Sequence, residues 1–153
     1  GYPKVLLDGA LAARFYTFGF AASTDAPFNV SNQLNEFKID VPVADWSVFF
    51  LRNRPRAMVD RPAKDFSQYR AVRVRMKGAE GGEEVLLSMK DSTDPDDGTE
   101  SRQELTLSAD WVDYEIPLSV FESANLEEIF APLQFIFLGG GGSISVSEVE
   151  FLE

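Results

Sequence analysis

Apolar side chains recur in this chain at every second residue, segment after segment, and almost nowhere at the 3.6-residue spacing of a helix. Tyr16, Phe18 and Phe20 alternate with Thr17 and Gly19, and Phe37, Ile39 and Val41 alternate with Lys38 and Asp40. Val72, Val74 and Met76 alternate with Arg73, Arg75 and Lys77; Val112, Tyr114, Ile116 and Leu118 alternate with Asp113 and Glu115. A side-chain period of two is the signature of a strand with one face buried. Residues 46–51 and 133–138 are apolar in both phases, which predicts central strands covered on both sides. Near Ser147 and Glu148 the phase slips, from Ile144 and Val146 to Val149 and Phe151, as a β-bulge would make it.

Turn residues punctuate these runs. They include the glycine-rich stretch 78–82, the acidic stretch 94–98 and four consecutive glycines at 139–142. Only residues 124–130 suggest a helix, and they make little more than one turn. Eight or more strands with no helix to carry a parallel crossover predict an all-β fold, a single antiparallel β-sandwich over residues 1–153 as one domain.

Composition narrows the chemistry. The 153 residues contain no Cys and no His. Disulfides, thiolate nucleophiles, Ser-His-Asp machinery and ordinary zinc sites are therefore excluded. The net charge of −11 argues against a duplex-DNA partner, and no apolar run reaches the length of a membrane span. The chain opens on Gly1 without a signal-peptide pattern, as expected of a mature or excised form of a larger secreted or surface protein. Glycosidase chemistry needs only two carboxylates, but no Asp or Glu stands in an apolar strand context that would raise its pKa, so a non-catalytic role is expected.

Charge is unevenly spread. Nine of the 14 basic residues lie between Arg52 and Lys77. Arg52, Arg54 and Arg56 alternate, as do Arg73, Arg75 and Lys77, so each set occupies one strand face. Facing a shared surface, Arg52, Arg73 and Arg75 would suit an anionic polysaccharide; the alternative is cross-strand pairing with acidic strand faces such as that of Asp113 and Glu115. The acidic stretch 91–100 has oxygen ligands for Ca²⁺ but lacks the EF-hand order, and a solvated turn is the simpler expectation. Among Tyr16, Phe18, Phe20, Trp46, Phe49 and Phe50 some side chains could serve as sugar platforms, although most of the 13 Phe of the chain must be core.

From residue 65 onward the order of segments is distinctive. Asp65-Phe66-Ser67-Gln68-Tyr69-Arg70 leads into a strand ending Met76-Lys77-Gly78. Later come Asp110-Trp111-Val112-Asp113-Tyr114 with its Pro117-Leu118 ending and the closing bulged strand. This order resembles the galactose-binding-like β-sandwich, or jelly roll, of carbohydrate-binding modules, family 11 in particular. The resemblance implies a polysaccharide, β-glucan-like, lying across one sheet face. It places Trp46 and Phe137 near sugar-stacking tyrosines, Asp97 near an acidic sugar ligand, and Tyr16 and Phe18 near an N-terminal tyrosine. It also implies a structural Ca²⁺ between the first and last strands, with Asp8 and Glu148 as candidate ligands. A structural sandwich in a surface assembly, with no glycan site, is the alternative.

Overall fold

The computed structural model describes residues 1–25, 28–33 and 35–153. Twelve strands follow one another: β1 (Lys4–Leu7), β2 (Ala10–Leu11), β3 (Tyr16–Ala22), β4 (Asn29–Gln33), β5 (Glu36–Val41), β6 (Ser47–Asn53), β7 (Ala71–Gly78), β8 (Glu84–Asp91), β9 (Arg102–Thr106), β10 (Val112–Pro117), β11 (Ile129–Phe137) and β12 (Gly142–Leu152). The expected helix is a single 3₁₀ turn, Leu126–Glu128, in which Asn125 Oδ1 accepts from Glu127 N at 3.1 Å. From Ile129 the backbone is already committed to β11.

The strands form two antiparallel sheets. One runs β3-β6-β11-β8-β9. The other runs β10-β7-β12, and the far edge of β12 is shared by two partners: β5 pairs with Gly142–Val146, and β1 pairs further along at Val149 and Glu150. The change of partner coincides with the expected bulge. Register shifts between Val146 and Glu148, and the carbonyl of Ser147 accepts from Gly9 N at 2.9 Å in the β1–β2 turn. One extra residue thus returns Val149 and Phe151 to the inner face, where both are buried.

Inner-face residues of the two sheets interdigitate in a core rich in Phe. Phe49 of β6 packs against Phe135 of β11 and, across the sandwich, against Phe37 of β5, with centroids at 5.9 and 6.4 Å. Phe66 and Tyr69 close one end against Phe151. Each such fully buried side chain contributes about 1.5–3 kcal/mol over exposure.

The outer face of the β7-β10-β12 sheet is charged and paired. Arg73 Nη2 lies 2.7 Å from Glu150 and 3.7 Å from Glu148, and Arg75 Nη1 lies 3.2 Å from Asp113. Trp111 is covered by Arg75 and Lys77, at 5.6 and 4.9 Å from its ring. No helix among the described residues is long and apolar enough to cross a membrane.

Candidate functional site

The outer face of the β3-β6-β11-β8-β9 sheet is different. Pairing registers lay its outward residues out in rows across the strands. Ala21, Val48, Ile136, Leu86 and Glu104 make one row; Gly19, Phe50, Gln134, Ser88 and Arg102 make the next. Arg52 beside Thr17 on β3, and Lys90 on β8, stand one step further on. A groove of about 830 Å³ lies over this grid, floored by Val48, Phe50, Gln134 and Ile136. Trp46 and Leu138 wall one end; the loop after β8 walls the other.

Local chemistry explains each position. Phe50 lies over Gly19, where a Cβ would sit only 2.7 Å from the ring's Cζ, so the absence of a side chain on β3 is what lets the ring settle there. The Arg52 guanidinium lies 5.7 Å from the Phe50 ring centroid, and its Nε donates to Thr17 Oγ1 at 3.3 Å. Ser88 Oγ donates to Gln134 Oε1 at 2.8 Å, leaving the amide N–H groups of Gln134 as donors. Trp46, 43% exposed, is fixed through its backbone: Ser23 N donates to its carbonyl at 3.0 Å, and its own N–H donates to Ser23 Oγ at 3.2 Å.

The acidic loop is tied down by cations and by its own backbone. Asp96 Oδ1 accepts from Arg61 Nη2 at 2.6 Å and from the buried Lys90 Nζ at 2.7 Å. Arg61 also donates to the carbonyl of Asp94 at 2.7 Å and lies 5.2 Å from the Phe130 ring. The Lys90 hydrogen bond holds the Asp96 carboxyl below its ordinary range. Asp91 is buried, which pushes its carboxyl up, but N–H donors from Asn125, Thr93 and Asp94 outweigh burial and hold it low. Asp97 Oδ1 accepts from the hydroxyl and N–H of Thr99, and the hydroxyl bond foremost keeps that carboxylate ionised. Among the shifted carboxylates Asp94 alone is pushed up, by burial.

Of the residues marked out in the sequence, Trp46, Arg52 and Asp97 meet in this groove. Tyr16, Phe18 and Phe137 do not reach it, because they belong to the inward phase of β3 and β11. Tyr16 is 1% exposed and its hydroxyl donates to the Tyr2 carbonyl. Phe18 touches Phe37 and Phe49, each at 5.6 Å, on the inner side of the edge strand β3, where it is 41% exposed but turned away from the groove. Phe137 is 5% exposed. Arg73 and Arg75 are on the other sheet's outer face, in the cross-strand ion pairs already described. Asp8 and Glu148, the candidate Ca²⁺ ligands, belong to the β1–β2 turn and to β12. They flank the crossing of Gly9 and Ser147, but Glu148 faces Arg73, and among the described residues no three His, Cys, Asp or Glu gather to hold a metal.

Gln134, Arg102, Arg61 and Lys90 were not marked out by sequence reasoning. The signal that locates the floor is the double apolar phase of residues 46–51 and 133–138. Its second phase lines the groove, with Val48 and Phe50 partly exposed there and Gln134 and Ile136 buried in its floor.

A two-sheet antiparallel sandwich with an aromatic-floored groove across one sheet has the architecture of a carbohydrate-binding module. The model of the family "Carbohydrate binding domain 30" matches residues 20–151, and the chain belongs to that family. The family is thus 30 rather than 11. Among solved structures, the chain is similar to the family 30 carbohydrate-binding module of the cellulosomal cellulase Cel9D-Cel44B of Clostridium thermocellum. That match has 15% identity and a TM-score of 0.66, covering 98% of this chain and 96% of the other. A further family 30 module matches with a TM-score of 0.68 at 15% identity, covering 98% and 87%. A family 29 module matches with a TM-score of 0.65 at 12% identity, covering 97% and 86%. No curated protein matches the chain.

Proposed function

We propose that this carbohydrate-binding module holds a neutral β-glucan-like chain across the β3-β6-β11-β8-β9 sheet, without catalysing its cleavage. The observation that carries the reading is the row Gly19–Phe50–Gln134–Ser88–Arg102 beneath an open groove. A pyranose presents an apolar C–H face and a girdle of hydroxyls. Phe50 and Trp46 offer flat apolar surface to the first; Gln134, Arg102 and Asp97 offer donors and an ionised acceptor to the second. The similar module from a cellulosomal cellulase supports a glucan and an extracytoplasmic setting, with this chain acting as part of a larger secreted or surface protein.

Affinity electrophoresis in gels containing β-glucan, mannan, alginate or carrageenan, with and without EDTA, tests the proposal. Retardation by β-glucan, insensitive to EDTA, is the expected result. Retardation by alginate or carrageenan alone would replace the neutral glucan with an anionic glycan, and no retardation on any gel would leave a structural sandwich. Trp46→Ala should abolish retardation while leaving the thermal midpoint nearly unchanged, since the indole is half-exposed at the groove end.

A further inference from the structure

A second cleft, of about 390 Å³, lies beyond the far end of β3 and β6, outside the groove. The segment joining β6 to β7 separates the two: it gives Asp60 and Arg61 to the groove, and Arg54, Arg56 and Lys64 to the cleft. Arg14 and the aromatic pair Tyr2 and Phe15 complete the cleft wall. The two rings stack at 4.4 Å with 22° between their planes, and the Arg14 guanidinium lies 5.6 Å from the Phe15 centroid. Both rings are about 40% exposed.

What sets this cleft apart is its lining, which carries Arg14, Arg54, Arg56 and Lys64 and no Asp or Glu. In a chain of net charge −11, Arg61, Arg70, Arg73, Arg75 and Lys90 all have a carboxylate within 4 Å. Among the described residues, Arg14, Arg54, Arg56 and Lys64 have none within that distance, as is also true of Lys4, Lys38, Arg52, Lys77 and Arg102, but only here do four such cations line one cleft. The Arg54 side chain and the backbone around Arg56 are held in place. Arg54 Nε donates to the Ala13 carbonyl at 2.6 Å, and the buried Asn53 donates to the carbonyls of Pro62 and Ile129, each at 2.9 Å, pinning both ends of the segment that carries Arg56. Guanidinium groups match carboxylates in bidentate geometry, and an exposed ring stack matches the C–H face of a sugar.

We propose that this cleft is a second saccharide site, selective for a uronate residue, whose carboxylate is taken by Arg14 and Arg56 and whose ring lies against Phe15 and Tyr2. The site goes beyond the glucan reading of the groove and does not depend on it. ¹⁵N–¹H spectra of the whole chain titrated with tetragalacturonate, cellotetraose and inorganic sulfate test it. Tetragalacturonate is expected to shift, saturably, the amides around Arg14 and Arg56, with R14Q/R56Q lowering its affinity by about tenfold or more and leaving the cellotetraose response unchanged. If the double variant fails to fold, R56Q/K64Q replaces it. The proposal is overturned if tetragalacturonate shifts only groove amides or none, if sulfate saturates the same amides at equal concentration, or if the folded variant binds as the parent does. Loss of the cellotetraose response alone would overturn the groove reading and leave this one standing.

Discussion

Gly19 sets where the Phe50 ring can lie, and the consequence is measurable without touching the ring itself. A β-branched side chain at residue 19 would occupy the space that Phe50 Cζ and Cε2 now take, at 2.7 and 2.9 Å from an ideal Cβ. The ring would have to rotate out of the groove floor. Gly19→Val is therefore expected to weaken β-glucan binding nearly as much as Phe50→Ala. Each should cost about 1.4 kcal/mol, or tenfold in affinity, the worth of one aromatic face against a sugar ring. Isothermal titration with a soluble β-glucan checks both variants. Full affinity in Gly19→Val would show that Phe50 is not a platform. The period-two pattern alone did not separate Phe50 from Phe49. One is an outward ring, the other a core side chain at 2% exposure, and which is which depends on the register of β6 against β3 and β11.

At the scale of elements, the loop after β8 is organised from its first residue. Asp91 takes N–H donors from Thr93, Asp94 and Asn125 and the Thr93 hydroxyl, at 2.8–3.0 Å, so one buried carboxylate joins β8, the acidic loop and the turn before β11. Asp91→Asn keeps the shape and removes the charge that those donors face, and should cost about 2 kcal/mol of unfolding free energy near neutral pH. The sign of the pH dependence follows from the lowered folded-state pKa. The carboxylate's contribution is fully present above the unfolded pKa, about 3.9, and is lost as pH falls through the lower folded value. Urea unfolding near pH 7 and near pH 3 should therefore show the gap between parent and variant narrowing in acid; a gap independent of pH would mean that another group governs the loop. Much at this scale was legible in sequence: the alternation, the glycine turns and the Ser147 bulge. The covering of β6 and β11 was not. Their two apolar phases read alike as burial on both sides; β11 is so buried, with Ile136 at 2% exposure, whereas Val48 and Phe50 of β6 stay partly exposed under the groove.

Across the whole molecule, the two outer faces divide the charges by role. On the β7-β10-β12 face Arg73 and Arg75 are neutralised by Glu148, Glu150 and Asp113, more than a third exposed, a sandwich thickness away from the groove. On the groove face Arg52 lies over Phe50, while Arg102 Nη2 reaches only the carbonyl of Gly98, at 3.2 Å. The sequence places Arg52, Arg73 and Arg75 on alternating strand positions, and only sheet assignment tells ligand candidates from ion-pair partners. The expectation is a clean division of effects. Arg73→Ala and Arg75→Ala should change β-glucan affinity by less than about twofold and stability by less than about 1 kcal/mol, the ordinary worth of an exposed pair. Arg102→Ala should weaken binding by about 1 kcal/mol through a lost hydroxyl contact, with little change in thermal midpoint. Because the glucan is neutral, raising NaCl from about 0.05 to about 0.5 M should leave the parent's affinity within about twofold. A steep loss with salt, or a loss of affinity in Arg73→Ala, would move the site toward anionic glycans or to the opposite sheet, and titration of the three variants at both salt concentrations separates these outcomes.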